Sequence, residues 1–245
     1  MRVYGLIGFP LSQSFSADFF NSKFKSLGLN DHIYKLFPIN NIAELRNLLQ
    51  SESGLAGLNV TIPYKEQVID FLDDLSFEAR SIGAVNCISI RSGKLTGHNT
   101  DCYGFEKAYI SQILDAESPA LILGNGGASK AVQYVLKEHD ISFQIVSRIK
   151  NDQTILYENL THEMIRSIKV IINTTPLGMY PETTNSPLLP YDQFTAQHFL
   201  IDLIYNPEKT EFLKHGLVIG CKTFNGLSML KFQADKAWEI WESTL

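Results

Sequence analysis

The chain has no surplus of positive charge. Its 21 lysines and arginines stand against 26 acidic residues, a net charge of -5 over 245 residues. That balance speaks against a nucleic-acid binder, which would normally present a basic face. No apolar run approaches the ~18 residues of a membrane span. The opening segment Met1-Arg2-Val3-Tyr4-Gly5-Leu6-Ile7-Gly8 is too short and too soon interrupted for a signal peptide, and reads as a first strand. Cysteine is scarce: Cys87, Cys102 and Cys221 are odd in number and lack metal-ligand spacing. A disulfide framework is therefore not expected, and reduced thiols in a cytoplasmic protein are. The six histidines are scattered with no His-x-x-x-His pair, so no metal site is expected. Internal repeats and low-complexity segments are also missing, and Pro181–Pro190 is the one proline-rich loop.

What is present is a mid-chain glycine cluster, Leu121-Ile122-Leu123-Gly124-Asn125-Gly126-Gly127-Ala128-Ser129. An apolar strand-like run ends in glycines, and apolar residues at helical spacing follow (Ala128, Ala131, Val132, Val135, Leu136). This is the strand–turn–helix opening of a dinucleotide-binding βαβ unit. Glycines let the backbone turn tightly and approach a pyrophosphate, and the new helix offers its N–H groups and positive dipole end. Ser129 replaces the third glycine of the usual fingerprint, and a glycine-rich loop that binds nothing is the plainer alternative. A second absence sharpens the reading. The next strand, Phe143–Ser147, ends without the acidic residue that holds the ribose 2′-hydroxyl of NAD. Ser147 and Arg148 stand there, with Lys150 behind. A guanidinium suits a 2′-phosphate, so NADP is expected over NAD, although a solvated basic turn would look the same.

The length permits two modest domains or one large one. Strand-like runs at 2–8, 32–38, 57–61 and 86–90 alternate with helical patterns at 16–27, 42–50 and 63–72. Such alternation predicts parallel strands joined by crossover helices. After 94–99 a helix is expected over 102–114, then a short polar break at 115–119. The second α/β unit continues through strands near 170–173, 199–203 and 217–220, and a helix over 226–241 closes the chain.

Candidate chemistry gathers where strands end, the place α/β sheets put ligands. Ser12, Ser14 and Ser16 follow the first strand. One helix cap needs one serine, so three spaced by two also suit a hydroxyl-lined pocket. In Asn59-Val60-Thr61-Ile62-Pro63-Tyr64-Lys65, Pro63 suits a first helical turn, which would place Lys65 near a helix N-terminus. A lysine there is either a solvated surface residue or a proton-transfer group, because the dipole disfavours positive charge. Asp101 in Gly97-His98-Asn99-Thr100-Asp101 is either a helix cap or a carboxylate paired with a lysine to hold a hydroxyl and move its proton. Asn173-Thr174-Thr175-Pro176-Leu177-Gly178-Met179 is a rigid polar turn suited to face a nicotinamide ring.

Together with Gly8-Phe9-Pro10, Ser14-Phe15-Ser16, Gly83-Ala84-Val85-Asn86, Asp202-Leu203-Ile204-Tyr205-Asn206-Pro207 and Asn225-Gly226-Leu227-Ser228-Met229-Leu230 with Gln233, these motifs make the chain resemble the shikimate dehydrogenases nearly end to end. The resemblance implies NADPH-dependent, reversible reduction of 3-dehydroshikimate to shikimate in aromatic amino-acid biosynthesis. It implies a two-domain α/β fold with the active site in the interdomain cleft. Residues 1–102, completed by C-terminal helices in 226–245, would form a substrate domain with a mostly parallel sheet. Residues 103–225 would form a Rossmann-like NADP-binding domain. Lys65 and Asp101 match the catalytic pair. Ser14, Ser16, Asn59, Thr61, Asn86, Tyr205 and Gln233 match substrate-binding positions. Gly124, Gly126, Gly127 and Ala128 match the pyrophosphate loop and Arg148 the 2′-phosphate clamp; Asn125 within the loop, Ser147 beside the arginine, and Asn173, Thr174, Thr175 and Met179 are the remaining expected cofactor contacts. The chain departs from the family at Gln13 and Phe20, where histidines are usual, at Asn125 in the glycine loop, and at Ser147 and Ile149 beside Arg148. The expected partners are a small-molecule substrate and at most a second copy of the chain. A quinate/shikimate dehydrogenase of relaxed cofactor choice and a catalytically silent homologue that senses either compound are the alternatives.

Overall fold

The structure, a computed structural model, describes residues 1–11 and 15–243. Two compact units divide the chain: residues 1–100 with 234–245, and residues 101–233.

In the first unit, β1 (Arg2–Gly8), α1 (Phe15–Ser26), β2 (His32–Pro38), α2 (Leu45–Ser51), β3 (Leu55–Val60), β4 (Asp74–Leu75), α3 (Phe77–Ile82), β5 (Cys87–Arg91) and β6 (Lys94–His98) build a six-stranded sheet of order β2-β1-β3-β5-β6-β4. β1 pairs in parallel with β2 and β3. β4 pairs in parallel with β6, while β5 runs antiparallel to both β3 and β6, so the sheet is mostly parallel, as expected, with one reversed strand. The cause is local. Ser92 (φ 48°) and Gly93 (φ 80°) form a two-residue turn of left-handed backbone, the geometry that folds adjacent strands into a hairpin.

Side chains of β1 alternate between two cores, as the period of two requires. Ile7 joins Leu45, Leu58, Val60 and Val68 on one face. Tyr4 and Leu6 join Phe20, Phe24, Tyr34 and Cys87 on the other, together with Ala234, Ala237, Trp238 and Trp241 from the last helix. Trp241 is fully buried and donates its indole N–H to the Ile88 carbonyl at 3.0 Å. A methyl group on Gly57 of β3 would collide with its ring. Phe20, where the resemblance leads to the expectation of a histidine, is a core residue here, stacked on Tyr34 at 4.7 Å.

The second unit holds α4 (Asp101–Asp115), β7 (Ala120–Leu123), α5 (Gly127–Glu138), β8 (Phe143–Ser147), β9 (Thr154–Leu156), α6 (His162–Ser167), β10 (Val170–Asn173), β11 (Phe199–Asp202), α7 (Glu211–Ile219), β12 (Lys222–Phe224) and the start of α8 (Leu227–Glu242). Its sheet runs β12-β11-β10-β7-β8-β9, parallel throughout. This is the doubly wound order, and its switch point lies between β7 and β10. β7 and β10 are buried at every position, as strands covered on both faces must be. The expected strand at 217–220 is instead the end of α7, closed by Gly220 in the left-handed conformation (φ 88°). Among the described residues no helix is long and apolar enough to cross a membrane, and no group of three or more His, Cys, Asp or Glu could hold a metal ion. Cys87, Cys102 and Cys221 are buried thiols.

Candidate active site

In the first unit the strand ends carry a polar network inside an apolar frame. Asn59, at the end of β3 and 5% exposed, accepts a hydrogen bond from the Tyr34 hydroxyl at 2.8 Å. Its amide donates to the Asn86 carbonyl at 3.3 Å. The Asn86 side chain in turn accepts from the Thr100 backbone N–H at 2.6 Å and donates to the Thr100 hydroxyl at 2.9 Å. Buried amides need such partners, and these fix the orientation of both asparagines. Ser16, in the first turn of α1 and buried, hydrogen-bonds Tyr34, whose phenol burial raises well above its ordinary range. Tyr34 and Thr100 are thus the orienting groups that motif reading missed. A tyrosine in an apolar strand and a threonine before a helix carry no signal of their own. Ser12, Gln13 and Ser14 lie outside the described residues.

Lys65 does not head an α-helix. Residues 62–66 form a turn, and only a short 3-10 segment, Gln67–Phe71, follows. The backbone groups are spent otherwise: the Lys65 carbonyl accepts from Val85 N–H at 2.7 Å, and Thr61 O accepts from Tyr64 N–H at 3.0 Å. Tyr64 anchors the turn by donating its hydroxyl to Ile39 O at 2.6 Å. Lys65 and Thr61 are half-buried on this anchored turn, so a lysine side chain is placed by a fixed backbone rather than by a helix dipole.

In the second unit α4 begins at Asp101, which is 5% exposed. One turn on, Gly104 allows α8 to pack on α4 backbone to backbone. A Cβ there would meet Met229 O at 2.7 Å and Gln233 N at 3.1 Å. Gln233, half-buried on α8, donates its amide to Leu230 O at 3.0 Å. The first residue of the α8 approach, Gly226, packs against the Leu203 carbonyl so closely that any side chain would collide, and its N–H donates to Ile204 O at 2.9 Å. Tyr205, half-buried, follows directly. The elements bearing Asp101, Gln233 and Tyr205 are therefore locked together.

The switch point is equally defined. Gly124 (φ 102°) ends β7, and Gly126 is the N-cap of α5, which no side chain caps. A Cβ added at Gly126 would stand in open space, so the helix start, with its orphan N–H groups, can be approached by an anion. Ser129 in place of the third glycine is fully buried and accepts from Gln133 Nε2 at 3.0 Å, which satisfies a hydroxyl where glycine is usual. The Asn173 side chain is the hinge of the neighbouring turn. Its Oδ1 accepts from the Thr175 N–H at 3.0 Å and the Thr175 hydroxyl at 2.7 Å. The Thr174 N–H and hydroxyl donate to Leu123 O at 2.9 and 2.6 Å. Met179, 42% exposed, closes the turn. After β8, Ser147 Oγ accepts from Ile149 N–H at 3.1 Å, and Arg148, Ile149 and Lys150 are exposed, with no carboxylate at the strand end itself. An uncapped helix start and an exposed arginine directly after β8 are donors that suit a dinucleotide with a 2′-phosphate.

One residue given no role by sequence reasoning is fully buried here: Asp202, at the end of β11. Burial pushes its carboxyl up to about 6, against hydrogen bonds from Thr210, Ile204 and Asn173 that pull it down. Between the ordinary value of 3.8 and about 6, the folded chain holds a proton that the unfolded chain has lost. Stability from this group therefore falls as pH rises through that window.

Comparisons with known proteins place the chain in one family. The family model described as the shikimate dehydrogenase substrate binding domain matches residues 6–88. A shikimate dehydrogenase (NADP(+)) from Clostridium beijerinckii is 44% identical over 252 residues, covering 99% of this chain and 92% of that protein. The chain belongs to the shikimate dehydrogenase family. Two solved members show the same backbone. Shikimate dehydrogenase 1 from Peptoclostridium difficile superposes with a TM-score of 0.86 at 39% identity, covering 100% of this chain and 93% of that one. The shikimate 5-dehydrogenase of Thermus thermophilus, crystallised with NADP(H) and shikimate, gives 0.86 at 31% identity, covering 99% and 94%. Family membership accounts for two α/β units of unequal sheet type, one of them doubly wound.

Proposed function

We propose that the protein is an NADP-dependent shikimate dehydrogenase, reducing 3-dehydroshikimate to shikimate reversibly. The first unit carries most of the substrate residues, and the second carries the dinucleotide site together with Asp101, Tyr205 and Gln233. The observation that carries this reading is the switch point: a glycine-fronted, uncapped helix start beside a strand end with Arg148 where NAD would need a carboxylate. The buried, oriented amides of Asn59 and Asn86 suit a small polyhydroxylated ligand. Buried thiols suit the cytoplasm.

When bound, NADPH supplies the hydride that reduces the ring ketone. Gly124, Asn125, Gly126, Gly127 and Ala128 hold its pyrophosphate, Ser147 and Arg148 its 2′-phosphate, and the Asn173–Met179 turn its nicotinamide end. Lys65, as its ammonium, donates a proton to the carbonyl oxygen as negative charge grows there. Asp101, the other member of the expected catalytic pair, accepts a hydrogen bond from the adjacent hydroxyl. Asn59, Thr61, Asn86 and Gln233 hold the ring hydroxyls. Ser14, Ser16 and Tyr205 bind the carboxylate by neutral hydrogen bonds.

Purified protein offered shikimate or quinate with NADP⁺ or NAD⁺, followed at the nicotinamide absorbance, tests the reading. A fast signal only with shikimate and NADP⁺ is expected. Silence in every combination overturns it, and comparable rates with quinate or NAD⁺ replace it with the relaxed enzyme. Arg148→Ala raises KM for NADPH by roughly 10- to 100-fold, the worth of a charge-assisted hydrogen bond, and leaves that for NADH nearly unchanged. Equal losses with both cofactors would mean that the 2′-phosphate is read elsewhere.

A further inference from the structure

Three segments of the second unit converge on the Asp202 carboxylate. Asn173 Nδ2, at the end of β10, donates to Oδ1 at 3.1 Å, and the Ile204 N–H donates to the same oxygen at 3.1 Å. The hydroxyl of Thr210, the N-cap of α7, donates to Oδ2 at 2.6 Å. All three donors are neutral. The titratable groups that sense this carboxylate electrostatically are Tyr109 of α4 and Tyr191, phenols whose own ionisation burial pushes upward. Nothing in the chemistry assigned to the reaction uses Asp202, yet an ionised carboxylate among neutral donors is costly to bury.

Its geometry shows what it does. The Asn173 amide is used at both ends, toward Asp202 through nitrogen and toward Thr175 through oxygen. An ionised carboxylate only accepts, so it dictates which end of that amide faces it. A donor in place of Oδ1 would favour the opposite orientation and turn the amide nitrogen on Thr175, whose N–H would then lose its acceptor; a neutral acceptor there would hold the amide less tightly than the carboxylate does. Beyond Thr175 the chain of contacts continues. A Cβ on Gly124 would meet Thr174 Oγ1 at 2.8 Å and Thr175 Cγ2 at 3.0 Å, so the turn is packed directly on the glycine loop.

We propose that Asp202 is a positioning residue for the dinucleotide site: by locking the Asn173 amide, it sets the Thr174–Thr175 turn against the Gly124 loop. The inference rests on the reading of that turn and loop as the cofactor site. It goes beyond that reading in assigning the site's shape to a buried carboxylate that touches no ligand.

Asp202→Asn, in the full chain, keeps the size of the side chain and replaces the charged acceptor by a neutral amide. NADP⁺ affinity by calorimetry at neutral pH is expected to fall about tenfold, the net worth of one charge-assisted hydrogen bond. Backbone amides of Thr174 and Thr175 are expected to exchange hydrogen faster in the ligand-free variant. As pH falls through about 6, the wild type loses affinity through two groups, Asp202 and the ligand's own 2′-phosphate. The variant retains only the second, so the two profiles converge in acid. A purely structural role would not move the difference between the profiles. Unchanged affinity and unchanged exchange in the variant overturn the proposal. If Asp202→Asn does not fold, Thr210→Val and Thr210→Ser decide. Weaker NADP⁺ binding by the valine variant, restored by serine, supports the proposal, and equal affinities overturn it. A wild-type chain that binds shikimate but no NADP⁺ overturns the functional reading itself, and this inference with it.

Discussion

Lys65→Ala lowers kcat by about 10²–10⁴, with a smaller change in KM, the contribution of one positioned general acid. Placement sets the size of the effect. The lysine stands on a turn whose carbonyl is held by Val85 and whose neighbour Tyr64 is pinned to Ile39, so its backbone is fixed before any substrate arrives. A positioned ammonium matters most where charge develops, on the carbonyl oxygen in the transition state, and less to ground-state binding. Steady-state rates with shikimate and NADP⁺ at saturating levels check it. An effect confined to KM would make Lys65 a binding residue and leave the proton without a donor.

The second large effect is on stability. Trp241→Ala destabilises the first unit by about 3–5 kcal/mol. The indole is fully buried, lies 4.9 Å from the Tyr4 ring and 5.2 Å from Phe20, and satisfies the Ile88 carbonyl. Truncation removes the ring contacts and leaves that carbonyl without its donor. Both tryptophans of the chain, Trp238 and Trp241, belong to this unit, so the fluorescence of the remaining Trp238 follows its unfolding in urea. A loss below about 1 kcal/mol would show that the aromatic cluster repacks around the gap.

Much of this was legible in the sequence where a residue type has one physical use. The glycine run before an apolar helical pattern could only be a tight turn into a helix, and it is. The polar run from Asn173 could be read as a rigid turn because asparagine and threonine side chains bond their own backbone, and Asn173 does so through Thr175. Short apolar runs misled, because periodicity does not separate a brief strand from a helix end. Residues 217–220 carry Leu, Val and Ile between two glycines, but Gly216 packs against Leu200 and Gly220 caps the helix. Pro63 suggested a helix start, yet the carbonyls that a helix would need are taken by Val85 and Tyr64. The hairpin at Ser92-Gly93 had a signal, a glycine-bearing two-residue loop between strand-like runs, that alternation with helices obscured. Asp202 shows no role in the sequence, because nothing in the linear chain says that a carboxylate after Leu-Ile will be sealed from water among Asn173, Ile204 and Thr210.

The core shared by Tyr4, Phe20, Trp238 and Trp241 also sets an order of events at the ribosome. The amino-terminal hundred residues emerge first, yet one face of their sheet stays uncovered until the last helix has been made. The doubly wound unit, residues 101–233, is complete before that helix is finished and can close first. The hundred residues made ahead of the doubly wound unit thus wait for a helix made after it, and until then their aromatic face lacks its cover.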